Sequence, residues 1–191
     1  MHLILISALA ATLALAGCAN MSETQRGTAT GAALGGIAGA VAGNIWSSKM
    51  EKQKQEMEQA TQGTGVQVSQ TADNRLKLDI PSDISFDTNR SDIRPNFRPI
   101  LDKFAASLVD NPATTVTIVG HTDNTGSDAI NNPLSIDRAA RTRDYLSTRG
   151  VAPARFTIDG RGSHEPVASN ETSAGRAQNR RVEIYVAEPQ R

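Results

Sequence analysis

The order of hydrophobic and polar positions divides the 191-residue chain into segments with different periodicities. Residues 3–15 are mostly apolar, glycines recur at every fourth position within residues 27–46, and residues 47–63 are rich in Lys, Glu, Gln and Met. From residue 64 to the end, apolar residues recur with the periods of strands and helices. We therefore predict several short N-terminal segments followed by one folded domain over residues 64–191.

Strands are predicted in that domain wherever apolar and polar residues alternate. Residues 66–68 and 76–80 show this alternation on either side of the turn sequence at 71–74, which predicts a β-hairpin. Alternating or β-branched runs predict three later strands, at residues 114–119, 156–158 and 182–186.

Two helices are predicted between these strands. Apolar residues at core spacing predict a helix over 97–110, with Asn96 as its cap, and a second helix over 133–148, capped by Asn132. Strands that alternate with helices predict an α/β fold, here an α+β sandwich in which two main helices cover one face of a mixed sheet.

Composition narrows the classes of function. Lys and Arg number 20 and Asp and Glu number 20, so the formal net charge is zero, whereas nucleic-acid-binding domains usually carry a basic excess. No nucleic-acid partner is therefore expected. The single cysteine, Cys18, precludes an internal disulfide, and three scattered histidines make no metal-ligand set, so neither a metal nor a cofactor is expected.

The apolar run near the N-terminus predicts a secretory signal, since it is too short to span a membrane. It ends in LAGC at residues 15–18, which resembles the lipobox of bacterial lipoproteins. That resemblance implies a signal peptide over 1–17, a lipid on Cys18 and a tether over 18–26. Ala19 after the cysteine implies sorting to the outer membrane. The alternative is an ordinary signal peptide with an incidental cysteine.

The glycine-rich segment 27–46 predicts a helix with one flat face. Positions i and i+4 lie on the same side of a helix, so five glycines at this spacing let another backbone approach closely; they are Gly27, Gly31, Gly35, Gly39 and Gly43. We expect this glycine zipper to self-associate at the periplasmic face of the membrane, giving a homo-oligomer. A flexible spacer is the alternative. Residues 47–63 are predicted to form a solvated helical linker.

Candidate chemistry concentrates in three stretches of the domain, FDTN at 86–89, GHTDNTG at 120–126 and NNPLSIDRA at 131–139. Asp123 directly follows a predicted strand, and Arg138 lies near the start of the next helix. Ligands of α/β folds commonly bind at the carboxyl ends of strands. A carboxylate and a guanidinium placed together there can hold a zwitterion, with one charge on each of its two groups.

The motifs GHTDxTG and NxxLSxxRA, with NRRV at residues 179–182, resemble the OmpA-like peptidoglycan-binding domain over residues 65–187. With the lipobox and the glycine zipper, the whole chain resembles an OmpA-family lipoprotein. The resemblance implies non-covalent binding of diaminopimelate in uncrosslinked stem peptides of the cell wall. It implies that Asp123 and Arg138 are the charged clamps. Polar support is then expected from Asn89, Thr125, Asn131 and Arg180.

Three alternatives remain open at this point. Asp123 and Arg138 can pair with each other and only fix the loop. Pro133 departs from the family motif and favours a helix that begins late, which weakens the inference for Asn131. The chain can instead organise membranes through its zipper. An enzyme acting on the wall is disfavoured, because the sequence contains neither S-x-x-K nor G-x-S-x-G.

Overall fold

The computed structural model describes residues 46–189, and a five-stranded sheet organises this part of the chain. The strands are β1 (Gln67–Gln70), β2 (Leu76–Pro81), β3 (Thr115–His121), β4 (Phe156–Gly160) and β5 (Arg181–Ala187). Their order across the sheet is β1-β2-β5-β3-β4. Because β3 and β4 are parallel and the other neighbours are antiparallel, the predicted mixed sheet is confirmed. The predictions for Cys18 and for the five zipper glycines lie outside the described residues.

Alternation along the strands separates a core face from a polar face of the sheet. Leu78 pairs with Ile184, which pairs in turn with Ile118, so three apolar side chains align across β2, β5 and β3. All three are at most 1% exposed. The register is therefore fixed by burial, since a slip of one residue would turn these side chains to the opposite face.

The two predicted main helices pack against this apolar face. They are α3 (Arg98–Asp110) and α4 (Asp128–Thr148), and a four-residue helix, α2 (Ser82–Ser85), precedes them. Leu101, Phe104 and Leu108 of α3 are fully buried at the three- and four-residue spacing of one helix face. Leu146 completes this layer from α4.

The start of α4 differs from the prediction. The helix begins at Asp128, with Ser127 as N-cap residue, and therefore contains Pro133 instead of starting there. Proline at this position removes one backbone hydrogen bond, near the helix end where several N–H groups already lack helical partners. The side chain of Asn131 is buried and bonds to the preceding loop, which stabilises the extra turn. At the other main helix, Phe97 and not Asn96 is the N-cap residue, and no side chain caps it.

The prediction of a solvated linker over 47–63 is wrong in one respect. Residues Ser48–Thr61 do form a helix, α1, but one face of it is part of the domain core. Met50 and Met57 are each 1% exposed, and the buried Gln53 donates to Ser107 Oγ of α3 at 3.0 Å. The buried face of this helix contains few apolar residues, and the many polar residues on its other faces masked the helical period in the sequence.

Besides the short helix α2, two further elements were not predicted. A single 3-10 turn covers Pro153–Arg155, and a seven-residue helix, α5 (Ser173–Asn179), leads into β5. Both are too short to leave a periodic signal in the sequence. Among the helices of residues 46–189, none has both the length and the apolarity needed to cross a membrane.

The burial of Met57 leads to a prediction about stability. Met57→Ala should lower the free energy of unfolding of the full chain by about 2–5 kcal/mol, because it deletes a buried side chain and leaves a cavity. Chemical denaturation followed by circular dichroism measures this change. The control is Lys52→Ala on the exposed face of the same helix, expected to change the free energy by no more than about 0.5 kcal/mol. Equal small effects of both changes would contradict the packing of α1.

Candidate functional site

A cavity of about 450 Å³ lies at the carboxyl end of β3 and is bordered by the first half of α4, the loop after α2 and helix α5. This volume is within the range of small-molecule binding sites. All six residues predicted from the sequence line this one cavity: Asn89, Asp123, Thr125, Asn131, Arg138 and Arg180. The structure therefore brings together side chains from positions up to 91 residues apart in the chain.

A close approach between β3 and α4 fixes the spacing of the strand that leads to Asp123 and the helix that carries Arg138. A Cβ atom at Gly120 would collide with the backbone carbonyl of Ser135, so only glycine allows this spacing. Beyond His121 the chain leaves the sheet, and the Asn131 amide donates to the Thr125 carbonyl oxygen at 3.1 Å. The start of α4 is thereby fixed to the loop that carries Asp123.

Asp123 is held in the ionised state by two hydrogen bonds. Its Oδ2 accepts from Arg180 Nη1 at 2.6 Å, and its Oδ1 accepts from the Thr125 backbone N–H at 2.8 Å. Burial raises the pKa of Asp123, but the bonds from Arg180 and Thr125 outweigh burial and the net pKa lies below the usual value. The carboxylate therefore carries its charge at neutral pH.

Arg180 bridges Asp123 to a second carboxylate, that of Asp83. Arg180 Nε and Nη2 donate to the two carboxylate oxygens of Asp83 at 2.9 and 2.7 Å, a bidentate pairing. Hydrogen bonding to Asp83 raises the pKa of Arg180, against the effect of partial burial. Sequence reasoning missed Asp83, which belongs to no recognised motif and lies 40 residues before Asp123.

Arg138 is the most buried cation of the cavity, with 3% of its surface exposed. Its Nε donates to the Arg90 carbonyl oxygen at 3.1 Å, and its guanidinium carbon lies 5.3 Å from the centre of the Phe86 ring. Within residues 46–189, Arg138 forms no ion pair and its two terminal nitrogens have no hydrogen-bond partner. Burial lowers the pKa of Arg138, yet arginine starts so far above neutrality that it remains charged.

Asp123 and Arg138 therefore do not neutralise each other, which removes the interpretation that they are a simple loop-fixing pair. Asp123 pairs with Arg180, and Arg138 interacts with Asp83 and Asp123 only at longer range. The cavity thus offers an anchored carboxylate and an open guanidinium within the same walls.

The loop after α2 supports Arg138 from the other side of the cavity. Asn89 has a left-handed backbone with φ of 55°, which asparagine tolerates better than most residues. This conformation closes the turn in which the Arg90 N–H bonds to the Asp87 carbonyl oxygen at 3.0 Å. The turn places Asn89 in the cavity wall and the Arg90 carbonyl oxygen against Arg138 Nε.

His121 belongs to a buried polar cluster on the opposite side of the sheet from the helices. The Glu183 carboxylate accepts from Lys77 (2.9 Å), Arg181 (2.8 Å) and Tyr185 (2.6 Å), and lies 3.6 Å from the His121 ring. Burial raises the pKa of Glu183, but these four groups together hold it well below its usual value. Because His121 is buried and absent from the cavity wall, it does not face a ligand there.

A mixed sheet with helices on one face, and a charged cavity at the end of the interior strand β3, define the architecture of a small binding domain. The sequence model of the OmpA family matches residues 85–180, and that of YMGG-like Gly-zipper proteins matches residues 1–66. The chain belongs to the OmpA family.

Similar proteins include lipoproteins and outer-membrane proteins. The probable lipoprotein YiaD of Escherichia coli K12 is 37% identical over 138 residues, which cover 72% of this chain and 63% of that protein. Outer membrane porin F of Pseudomonas fluorescens is 46% identical, and peptidoglycan-binding protein ArfA of Mycobacterium tuberculosis is 48% identical. Both matches cover 54% of this chain and 32% of the other. The chain thus spans less than two thirds of the length of these relatives.

Two solved structures share the fold of the described domain. The cell wall anchor of the type VI secretion system (T6SS) from Pseudomonas aeruginosa matches with a TM-score of 0.63 and 34% identity, covering 71% of this chain and 96% of that one. The peptidoglycan-associated lipoprotein from Burkholderia pseudomallei matches with a TM-score of 0.52 and 29% identity, covering 56% and 88%. The fold predicted from the sequence is therefore confirmed by structural comparison as well.

Proposed function

We propose that this domain binds peptidoglycan non-covalently and so attaches the protein to the cell wall. The observation that carries the proposal is the buried Arg138, which lacks an ion pair within residues 46–189 and shares a cavity with the ionised Asp123. Relatives named for peptidoglycan binding or cell-wall anchoring have the same domain, which supports the proposal.

The chemistry of the cavity favours the zwitterionic end of diaminopimelate as the group that is bound. Its carboxylate can take two parallel hydrogen bonds from the terminal nitrogens of Arg138, and its ammonium can donate to Asp123. Thr125 and Asn131 hold the loop, Asn89 borders the cavity, and Arg180 orients Asp123. In this proposal the residues bind and orient the ligand, and no bond is formed or broken.

Removing either charge should abolish most of the binding. Asp123→Asn and Arg138→Gln are each expected to weaken co-sedimentation of the full chain with purified sacculi by roughly 30-fold or more, because an unpaired buried charge costs about 2–5 kcal/mol. The double variant should be little worse than either single one, as expected for two groups that hold one ligand.

The chain offers a matched control for this experiment. Asp144 and Arg143 form an exposed ion pair at 2.7 Å on α4 and do not line the cavity. Asp144→Asn and Arg143→Gln should leave sedimentation unchanged. Wild-type binding by the cavity variants, with circular dichroism showing a folded domain, would refute the proposed site.

We further propose that Cys18 carries the lipid that holds the protein at the outer membrane. The lipobox ends at the only cysteine of the chain, and the similar protein YiaD is described as a probable lipoprotein. Several acyl chains bind a bilayer stably, whereas a chain without them does not. Cys18→Ser should therefore abolish incorporation of labelled palmitate and release the protein from outer-membrane fractions. Labelling that persists in the variant would rule out this anchor.

A second role, self-association through the glycine zipper, is supported by the match of residues 1–66 to a Gly-zipper family. Close helix contact requires small residues at the interface, so leucine at Gly35 and Gly39 should separate the helices. We expect chemical crosslinking in membranes to capture oligomers of the wild type and not of this double variant. The control is leucine in place of Ala33 and Ala40, which the helical period puts on the side away from the glycines. Oligomers that survive the glycine changes would contradict the zipper interface.

A further inference from the structure

The charges that line the cavity do not balance. Four arginines face three aspartates: Arg94, Arg138, Arg176 and Arg180 against Asp83, Asp87 and Asp123. Arg94 pairs with Asp87 at 2.8 Å, and Arg180 bridges the other two aspartates. In the described part of the chain, Arg138 and Arg176 are left as the cavity cations without an ion pair.

A zwitterionic end group satisfies only one of these two cations. Its carboxylate pairs with Arg138 and its ammonium joins Asp123, so its binding adds no net charge to the cavity. Arg176, which is half-buried, then remains without a counter-charge in the cavity wall. Because a partly exposed cation attracts a nearby anion by about 1 kcal/mol at most, the arrangement gives a modest preference for a ligand that brings a second anionic group.

A chain of hydrogen bonds holds the Arg176 side chain in the cavity wall. Its Nη1 donates to the Asn170 carbonyl oxygen at 2.8 Å. The side chain of Asn170 accepts in turn from Asn179 Nδ2 at 2.8 Å. Asn179 is completely buried and also accepts from the backbone N–H groups of Val167 and Ala168. The position of the guanidinium is therefore fixed before a ligand arrives.

We propose that Arg176 is a second carboxylate-binding position of this cavity, which selects stem peptides that carry an anionic group besides the zwitterionic end. This inference rests on the proposed function, since it refines the ligand of the same site. Two carboxylates of a stem peptide have the required chemistry, namely the α-carboxylate of the γ-linked glutamate and the carboxylate at the peptide C-terminus. The cavity, at about 450 Å³, has room for more than one end group.

Four synthetic tripeptides of alanine, γ-linked glutamate and diaminopimelate test the proposal. One is unmodified, one is amidated at glutamate, one at the C-terminus and one at both, and all keep the zwitterionic end. Calorimetric titration of the full chain should show that one single amide weakens binding about fivefold, as for a partly exposed ion pair. The amide that does so identifies the carboxylate bound by Arg176.

Variants of Arg176 separate recognition from folding. Arg176→Gln should weaken binding of the unmodified peptide about fivefold and leave the doubly amidated peptide unaffected. Arg176→Lys should retain the preference for the acid, because it keeps the charge. Arg143→Gln, which removes an arginine outside the cavity, should behave as wild type.

Three results would overturn the inference. The first is that the wild type binds all four peptides equally, and the second is that Arg176→Gln weakens all four by the same factor, as a structural role would. In both cases the proposed function survives. The third is that the wild type binds none of the four peptides, which would overturn the proposed function together with the role of Arg176.

Discussion

The buried guanidinium of Arg138 is the constraint on which the rest of the site depends. Removing such a charge from water costs several kcal/mol unless a counter-charge and hydrogen bonds compensate. Within residues 46–189 the compensation is partial, since the group has one carbonyl oxygen, that of Arg90, and the ring of Phe86. Both contacts orient the guanidinium, and neither occupies its terminal nitrogens. An anion that enters the cavity would supply the missing counter-charge and hydrogen-bond acceptors for the terminal nitrogens of Arg138.

The bridge formed by Arg180 explains why this unmet charge persists. Asp123 would otherwise be the natural partner of Arg138, because both line the same cavity. Arg180 occupies one oxygen of Asp123, the Thr125 N–H occupies the other, and Asp83 fixes Arg180 with two hydrogen bonds. Asp123 is thus ionised and oriented by Arg180 and Thr125, and it forms no ion pair with Arg138. The two charges stay separate, which is the condition for binding a zwitterion between them.

The sequence was informative where a residue's role follows from its near neighbours. Alternation around Leu78 predicts its strand, and the motif around Asp123 predicts its place at a strand end. It was uninformative where the role depends on a distant partner. Asp83 matters only because β5 brings Arg180 beside it, and Met57 is a core residue only because α3 and the sheet lie next to a largely polar helix. Pro133 misled for a different reason, since the bond from Asn131 to the Thr125 carbonyl oxygen in the adjoining loop stabilises a helix start that the local preference of proline disfavours.

The packing of α1 also has a consequence for the membrane anchor proposed at Cys18. The solvated helical linker predicted over 47–63 would have added about 25 Å of helix before the domain. With α1 in the core, the chain available between Cys18 and the domain is residues 19–45, which extend over at most about 95 Å. A greater distance between Cys18 and the domain requires α1 to leave the core. This exposes Met50 and Met57, which costs about 2 kcal/mol of folding free energy for each side chain. In the anchoring proposed for Cys18, tension on the chain therefore acts directly on a core helix, and the same packing that stabilises the domain limits the distance that the domain can reach.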